Sequence, residues 1–281
     1  MNAIQRRAIV WTLVAALVLL VATGVRLSLQ RPSDGNLSFG VEGRVGSVPA
    51  LRISDGLSRS DEGVHVLVQG KGRHLVAGEP ALLRVFTFDQ SGKLTSSDPT
   101  GALFLGKLGP DLVPHLSDRL QGLSEGSRAV VVTRDAKQFE IAVVDVLSTY
   151  PTGTVRERPQ DAPVWVTQPL GAAELAEITP AKDLWGALVV AGLGHQVKEG
   201  DSVIAQYAIF DATDGKVRSS TWQAGGMPVK LDLNSALPAV KSELVDSRVG
   251  SRVVMMVPAS GGDGDMPLVI VVDVLAVLEK G

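Results

Sequence analysis

The sequence predicts an α+β fold built twice in tandem, each copy an antiparallel sheet with one short helix. The first observation is a repeat with a period of roughly 120 residues, the size of a duplicated domain. VQGKGRHLVAGE (68–79) matches VAGLGHQVKEGD (190–201), and GKLTSS (92–97) matches GKVRSS (215–220). LVPHLSDRLQGLSEGSRAVVV (112–132) then matches ALPAVKSELVDSRVGSRVVMM (236–256), and AVVDVL (142–147) matches IVVDVL (270–275). The second is a series of short runs rich in Val, Leu and Ile, bounded by glycine or charged turns, which read as strands. The third is the spacing of Val113, Leu116 and Leu120, and of Leu237, Val240 and Leu244, at i, i+3 and i+7. That spacing places each trio on one face of a helix.

Along the chain, residues 8–25 come first, eighteen without a charge, behind Arg6 and Arg7 and ahead of Arg26. A membrane-spanning helix needs roughly 17 to 25 apolar residues, whereas the apolar region of a cleaved signal runs to about 7 to 15. The length favours a retained transmembrane anchor over residues 1–26, with cleavage near Ala22 or Gly24 as the competing reading. The double arginine keeps the N-terminus cytoplasmic, which puts residues 27–281 outside. Residues 27–39 are polar and read as a stalk, and the first copy is assigned to 40–150. Pro114 and Pro238 fall in the first turn of the helices, where a missing N–H costs little, and Gly126 and Gly250 lie in the turns that follow. STYPTGTVRERPQDAP (148–163) carries three prolines, so residues 151–163 are assigned as the linker and 164–281 as the second copy.

Composition narrows the function. With 45% apolar and 20% charged residues the chain is folded material, and a net charge of −3 without a basic, aromatic-interleaved stripe excludes nucleic acid as a partner class. The absence of cysteine excludes a disulfide framework, a thiol nucleophile and a thiolate metal site. His65, His74, His115 and His195 are scattered and show no H-E-x-x-H pattern, so no metal is expected. Ser219 and Ser220 have no histidine placed beside them by sequence. GKG (70–72) and GLG (192–194) join strand-like runs and read as hairpin turns. The two aspartates of GGDGD (261–265) fall short of the 6 to 8 oxygens that calcium usually collects.

One set of landmarks in the second copy carries a resemblance. EGDSVIAQY (199–207), DGKVRSSTW (214–222), LPAV (237–240), VGSRVVMMVP (249–258) and PLVIVVDVL (267–275) follow one another in an order similar to that of FKBP-type peptidyl-prolyl cis-trans isomerase domains. Copy one shows the same layout more faintly, so the resemblance implies two tandem FKBP-like domains, like those of envelope proteins of high-GC Gram-positive bacteria. It implies a twisted sheet wrapped around the short helix, with a shallow apolar pocket for a proline ring between them and no cofactor or metal. The chemistry would be rotation about an amide bond whose uncatalysed barrier, about 18 to 20 kcal/mol, comes from resonance. Tyr207 would reach the bound peptide with its hydroxyl, and the backbone N–H of Leu237 would receive the substrate carbonyl.

The sequence departs from the family where the pocket should be aromatic. Arg218 and Ser219 stand where the family has phenylalanine and aspartate, Val240 where it has the tryptophan floor, and Val229 and Ile270 where it has further rings. The flap tyrosine falls near Asp263, so only Tyr207 remains an aromatic ring. In copy one the matching positions are Val85 and Leu116, while Phe86, Phe88 and Phe104 line up with no pocket position, which makes copy one structural. Beside these readings stand plainer ones: Tyr207 as a strand tyrosine with its hydroxyl at the edge, Arg218 as a solvated turn residue or a contact for an acidic partner, Trp222 as surface packing. The resemblance implies a weak prolyl isomerase acting on proline-containing secreted polypeptides, or alternatively an inactive module or chaperone that holds another envelope protein.

Overall fold

The computed structural model describes residues 29–30, 37–54, 56–113, 116–135, 138–261 and 266–278. The apolar run 8–25, Pro114, His115 and Asp263 lie outside the described residues. Among the described residues no helix is long and apolar enough to cross a membrane. The chain divides after Leu147 into two compact units.

The first unit runs β1 (Leu29–Gln30), β2 (Phe39–Glu42), β3 (Ala50–Ile53), β4 (Gly63–Val68), β5 (Pro80–Phe88), β6 (Ala102–Lys107), α1 (Ser117–Leu120), β7 (Arg128–Asp135) and β8 (Gln138–Leu147). Its main sheet has the order β1-β4-β7-β8-β5-β6, and β2 and β3 form a separate hairpin. The second unit runs β9 (Thr154–Val155), β10 (Trp185–Ala191), β11 (Ser202–Asp211), β12 (Val217–Ser220), β13 (Val229–Asp232), α2 (Pro238–Leu244), β14 (Arg252–Val257) and β15 (Leu268–Leu278). Its sheet has the order β12-β11-β15-β14-β10-β9, with β13 also paired to β11.

The expected α+β class is corrected to a predominantly β fold. The apolar i, i+3, i+7 pattern yields only four helical residues in α1 and seven in α2. Pro238 starts α2 at its first turn, and the chain leaves it through Asp246 at φ 68, a left-handed conformation that aspartate tolerates. Nor is the first sheet purely antiparallel, because β1 pairs with β4 in parallel. Leu29–Gln30, expected in a polar stalk, thus add an edge strand, and Phe39 is buried against the sheet. Residues 148–163 run along the second unit: the N–H groups of Thr152 and Gly153 reach the Gly250 carbonyl, and β9 pairs with β10.

The long closing strands β8 and β15 are continuous apolar runs because both faces of each sheet are covered. In the second unit Val253, Met255, Val272 and Val274 pack on Val240 and Leu244 of α2. Val254, Met256, Val269 and Val271 face the other way, against Val164, Val166 and Ala173 of the segment that precedes β10. The first unit repeats this division, with Leu116 and Leu120 on one face and Phe39 and Leu51 of the β2–β3 hairpin on the other. Each covering segment is tied down by a buried guanidinium. Arg128 forms a fork on Asp145 and donates to the carbonyls of Gly43, Arg44 and Ser47, and Arg252 forms a fork on Asp273 and donates to those of Gln168 and Gly171.

Candidate functional site

The alternation of side chains along β11 sends Tyr207, Ile209 and Asp211 to one side of the sheet. Directly opposite on β15 stand Val272, Ile270 and Leu268, and β14 continues the rows with Val253, Met255 and Val257. Ser219 of β12 lies across from Ile209 at the other end of its row. This is the side on which α2 packs, through Val240 and Leu244. Tyr207, Leu237, Val240 and Ile270 therefore meet in one apolar cluster, Val240 and Ile270 buried and Tyr207 and Leu237 half-buried at its margin.

Polar groups border this surface at two places. The Tyr207 hydroxyl lies 3.2 Å from Ser219 Oγ. Leu237, the residue before α2, has an extended backbone (φ −52, ψ 140), and its carbonyl accepts from Lys241 N–H. Its own N–H has no acceptor among the described residues. Behind Tyr207, the Thr221 hydroxyl donates to the Gln206 side-chain oxygen and the Gln206 amide donates to the Gly226 carbonyl, which fixes the loop leading to β13.

The two remaining expected positions lie at the rim. Val229 faces Ala205 across the β11–β13 pair and is 37% exposed. Arg218 sits at the irregularity between the Ile209–Ser219 and Phe210–Val217 pairs, with its side chain 42% exposed. Its guanidinium donates to Asp211 Oδ2 at 2.7 Å and to Met266 Sδ at 3.1 Å. The Thr213 hydroxyl, then Arg218, hold the Asp211 carboxyl well below the usual carboxylate range, so Asp211 is an anion at any physiological pH. The ring expected at position 218 is thus replaced by an ion pair on the sheet margin. Among the described residues no group of histidines and carboxylates could hold a metal ion.

The register locates Ile270 relative to Tyr207 and corrects one sequence assignment. The partner of Tyr207 on the closing strand is Val272, while Ile270 stands one side-chain step away, opposite Ile209. In the first unit, Phe104 pairs with Leu83 just as Val229 pairs with Ala205, and Leu83 and Ala205 are equivalent by the repeat. Phe104 therefore occupies the position of Val229 and packs, with Leu112, on the α1 side of its sheet. Unequal loops ahead of β6 and β13 hide this match in the sequence. Ile209, Met255 and Val272 were missed as members of this cluster, although the period-two count along their strands could have found them.

No family model matches the sequence, and no curated protein matches it. Among solved structures, FkpA from Escherichia coli is similar at 20% identity over 42% of this chain and 53% of FkpA, with a TM-score of 0.32; the chain thus spans about half the length of that protein. A peptidyl-prolyl cis-trans isomerase from Pseudomonas syringae pv. tomato is similar at 20% identity over 34% of this chain and 76% of its own, with a TM-score of 0.30. The structure of the three FKBP domains of wheat FKBP73 is similar at 12% identity over 77% of this chain and 94% of its own, with a TM-score of 0.30.

Proposed function

We propose that the second unit binds proline-containing segments of extended polypeptides on the surface between α2 and the sheet, and that it isomerises the prolyl bond slowly. The observation that supports this reading is that Tyr207 and Leu237 pack at the margin of one apolar cluster holding Val240 and Ile270, and that the Leu237 N–H has no acceptor among the described residues. Rotation about a prolyl bond needs no nucleophile and no proton transfer. It needs a site that strips water from the amide and favours the twisted geometry over the planar one. An apolar floor can hold the proline ring while Leu237 N–H donates to the carbonyl on its N-terminal side. The Tyr207 hydroxyl then donates to a neighbouring peptide carbonyl.

Catalysis is weak in this reading because the floor is shallow. Val240 and Ile270 are small and already buried in the core, so a proline ring lying on them covers little fresh apolar area, at about 25 cal/mol per Å². A second reading, a module that holds a polypeptide without turning its bonds, is favoured by Arg218, whose ion pair with Asp211 stands where a ring would close the pocket. We place the activity on the extracytoplasmic side, on the strength of the uncharged run 8–25 behind Arg6 and Arg7.

A proline-limited refolding assay with the full chain in detergent tests both. Acceleration at micromolar protein supports the isomerase. A rate equal to the uncatalysed one, with the substrate retained on the protein, selects the holding module.

A further inference from the structure

The far edge of the second sheet is built differently from the matching edge of the first. β10 is paired to β14 from Trp185 to Val190, but β9 covers its other side only at Val190 and Ala191. One further bond, Arg156 N–H to the Val189 carbonyl at 2.8 Å, extends that cover by a residue. Among the described residues nothing hydrogen-bonds the outer side of Trp185–Leu188, and Leu184, just before it, and Leu188, its last residue, are exposed. An open strand edge of this kind is a template for an added strand.

A carboxylate stands over the open stretch. A Cβ placed on Gly186 would come within 2.0 Å of Glu243 Oε2 and 2.4 Å of its Cδ, so the side chain of Glu243 on α2 lies flat on this glycine. Glu243 is half-buried and has no hydrogen-bond or ion-pair partner among the described residues. Burial alone pushes its carboxyl upward from the usual range, with no cation to oppose the shift.

The repeat shows what such an edge accepts. Val68 matches Val190, so Val64 and His65 match Gly186 and Ala187, and the β-irregularity that follows falls at equivalent residues in both strands. In the first unit Val64 and His65 are paired, in parallel, with Leu29 and Gln30 of β1. The same two positions in the second unit carry no added strand among the described residues.

We propose that the Trp185–Leu188 edge of β10 binds an extended segment of another polypeptide as an added parallel strand, and that Glu243 selects a segment bearing Lys or Arg on the α2 side. Charge complementarity to Glu243 and the occupied twin edge define this partner. β14 and β15 separate β10 from β11, roughly 14 Å at about 4.8 Å per strand, so this edge and the Tyr207 surface can be filled together. The proposal is independent of the isomerase reading.

The probe is a fluorescent peptide copying residues 26–33, RLSLQRPS, the sequence around the segment that occupies the twin edge. In the register that Leu29 and Gln30 take on β4, Leu29 of the probe faces Gly186, and a probe that continues extended puts Arg31, two residues on, on the same side of the added strand. Binding to the full chain in detergent should weaken about tenfold with Glu243→Gln, the loss of one charge-assisted contact. Glu243→Lys should bind a probe carrying Arg31→Glu better than the original, and hydrogen exchange at Trp185–Leu188 should slow when the original probe binds the natural chain. No binding at about millimolar probe, equal affinity of both probes for the natural chain, or slowed exchange confined to β11 and β12 would each overturn the proposal. The paired probes keep the test decisive if a Glu243 variant fails to fold.

Discussion

Replacing Arg252 by Met isolates what the buried fork contributes to the unit that carries the candidate site. Both side chains of the Arg252–Asp273 pair are 0% exposed, so the variant leaves Asp273 buried without its cation and deprives the Gln168 and Gly171 carbonyls of their donors. Breaking a buried pair by removing one partner costs about 3–5 kcal/mol. For a domain of this size that lowers the midpoint of thermal unfolding by roughly 10–20 °C. The pH dependence is the sharper test. Burial already pushes Asp273 up to about 6, against the pull of Arg252. That lies above the value of about 3.9 for an unfolded aspartate, so the folded state holds the extra proton. The contribution of this group is fully present below pH of about 4 and is lost as pH rises through about 6. Without Arg252 the folded value climbs further, and stability keeps falling above that pH by about 1.4 kcal/mol per pH unit relative to the natural chain. Urea unfolding of both proteins at a series of pH values from 6 to 9 measures the slope. Parallel curves would refute the reasoning, because they would mean that water or another group satisfies Asp273 once the guanidinium is gone.

Tyr207→Phe should leave folding nearly unchanged and slow the catalysed rate up to about tenfold, the worth of one hydrogen bond; an unchanged rate in the refolding assay would remove the hydroxyl from the site. Arg218→Ala should alter stability by the same amount at every pH from 5 to 9. The depressed Asp211 carboxyl makes its contribution above the unfolded value and loses it only as pH falls well below that range, so a change in urea midpoint that varies across this window would contradict the pairing. Val240→Trp combined with Arg218→Phe should raise the isomerase rate while overpacking the α2 side of the core by about 1–3 kcal/mol, and a folded double variant with no gain would put the proline elsewhere. Cell fractionation should find the chain in the membrane pellet after a salt wash, and a soluble mature chain starting near residue 25 would show that the apolar run is cut away.

The sequence by itself determined the duplication, the strand-rich character of each copy and the face that each helix buries, because repeats and residue spacing are local properties of the chain. Tyr207, Val240 and Ile270 were brought to one surface only by the resemblance, which lent the chain a strand register that its own residues do not state. The sequence overstated the helices, since an apolar i, i+3, i+7 spacing says which face a helix would bury but not how few residues turn before Asp246 ends it. Only the tertiary structure decided which residues stand opposite one another. Cross-strand register depends on loops of unequal length, and that is why Phe104 takes the place of Val229. Charge pairing is equally non-local. The sequence put Arg218 in the pocket, but a carboxylate seven positions earlier in the chain, brought back by the β11–β12 turn, holds it at the rim. Glu243 was one polar helix residue among several until folding laid it on Gly186, at an edge whose twin in the first unit already carries a strand.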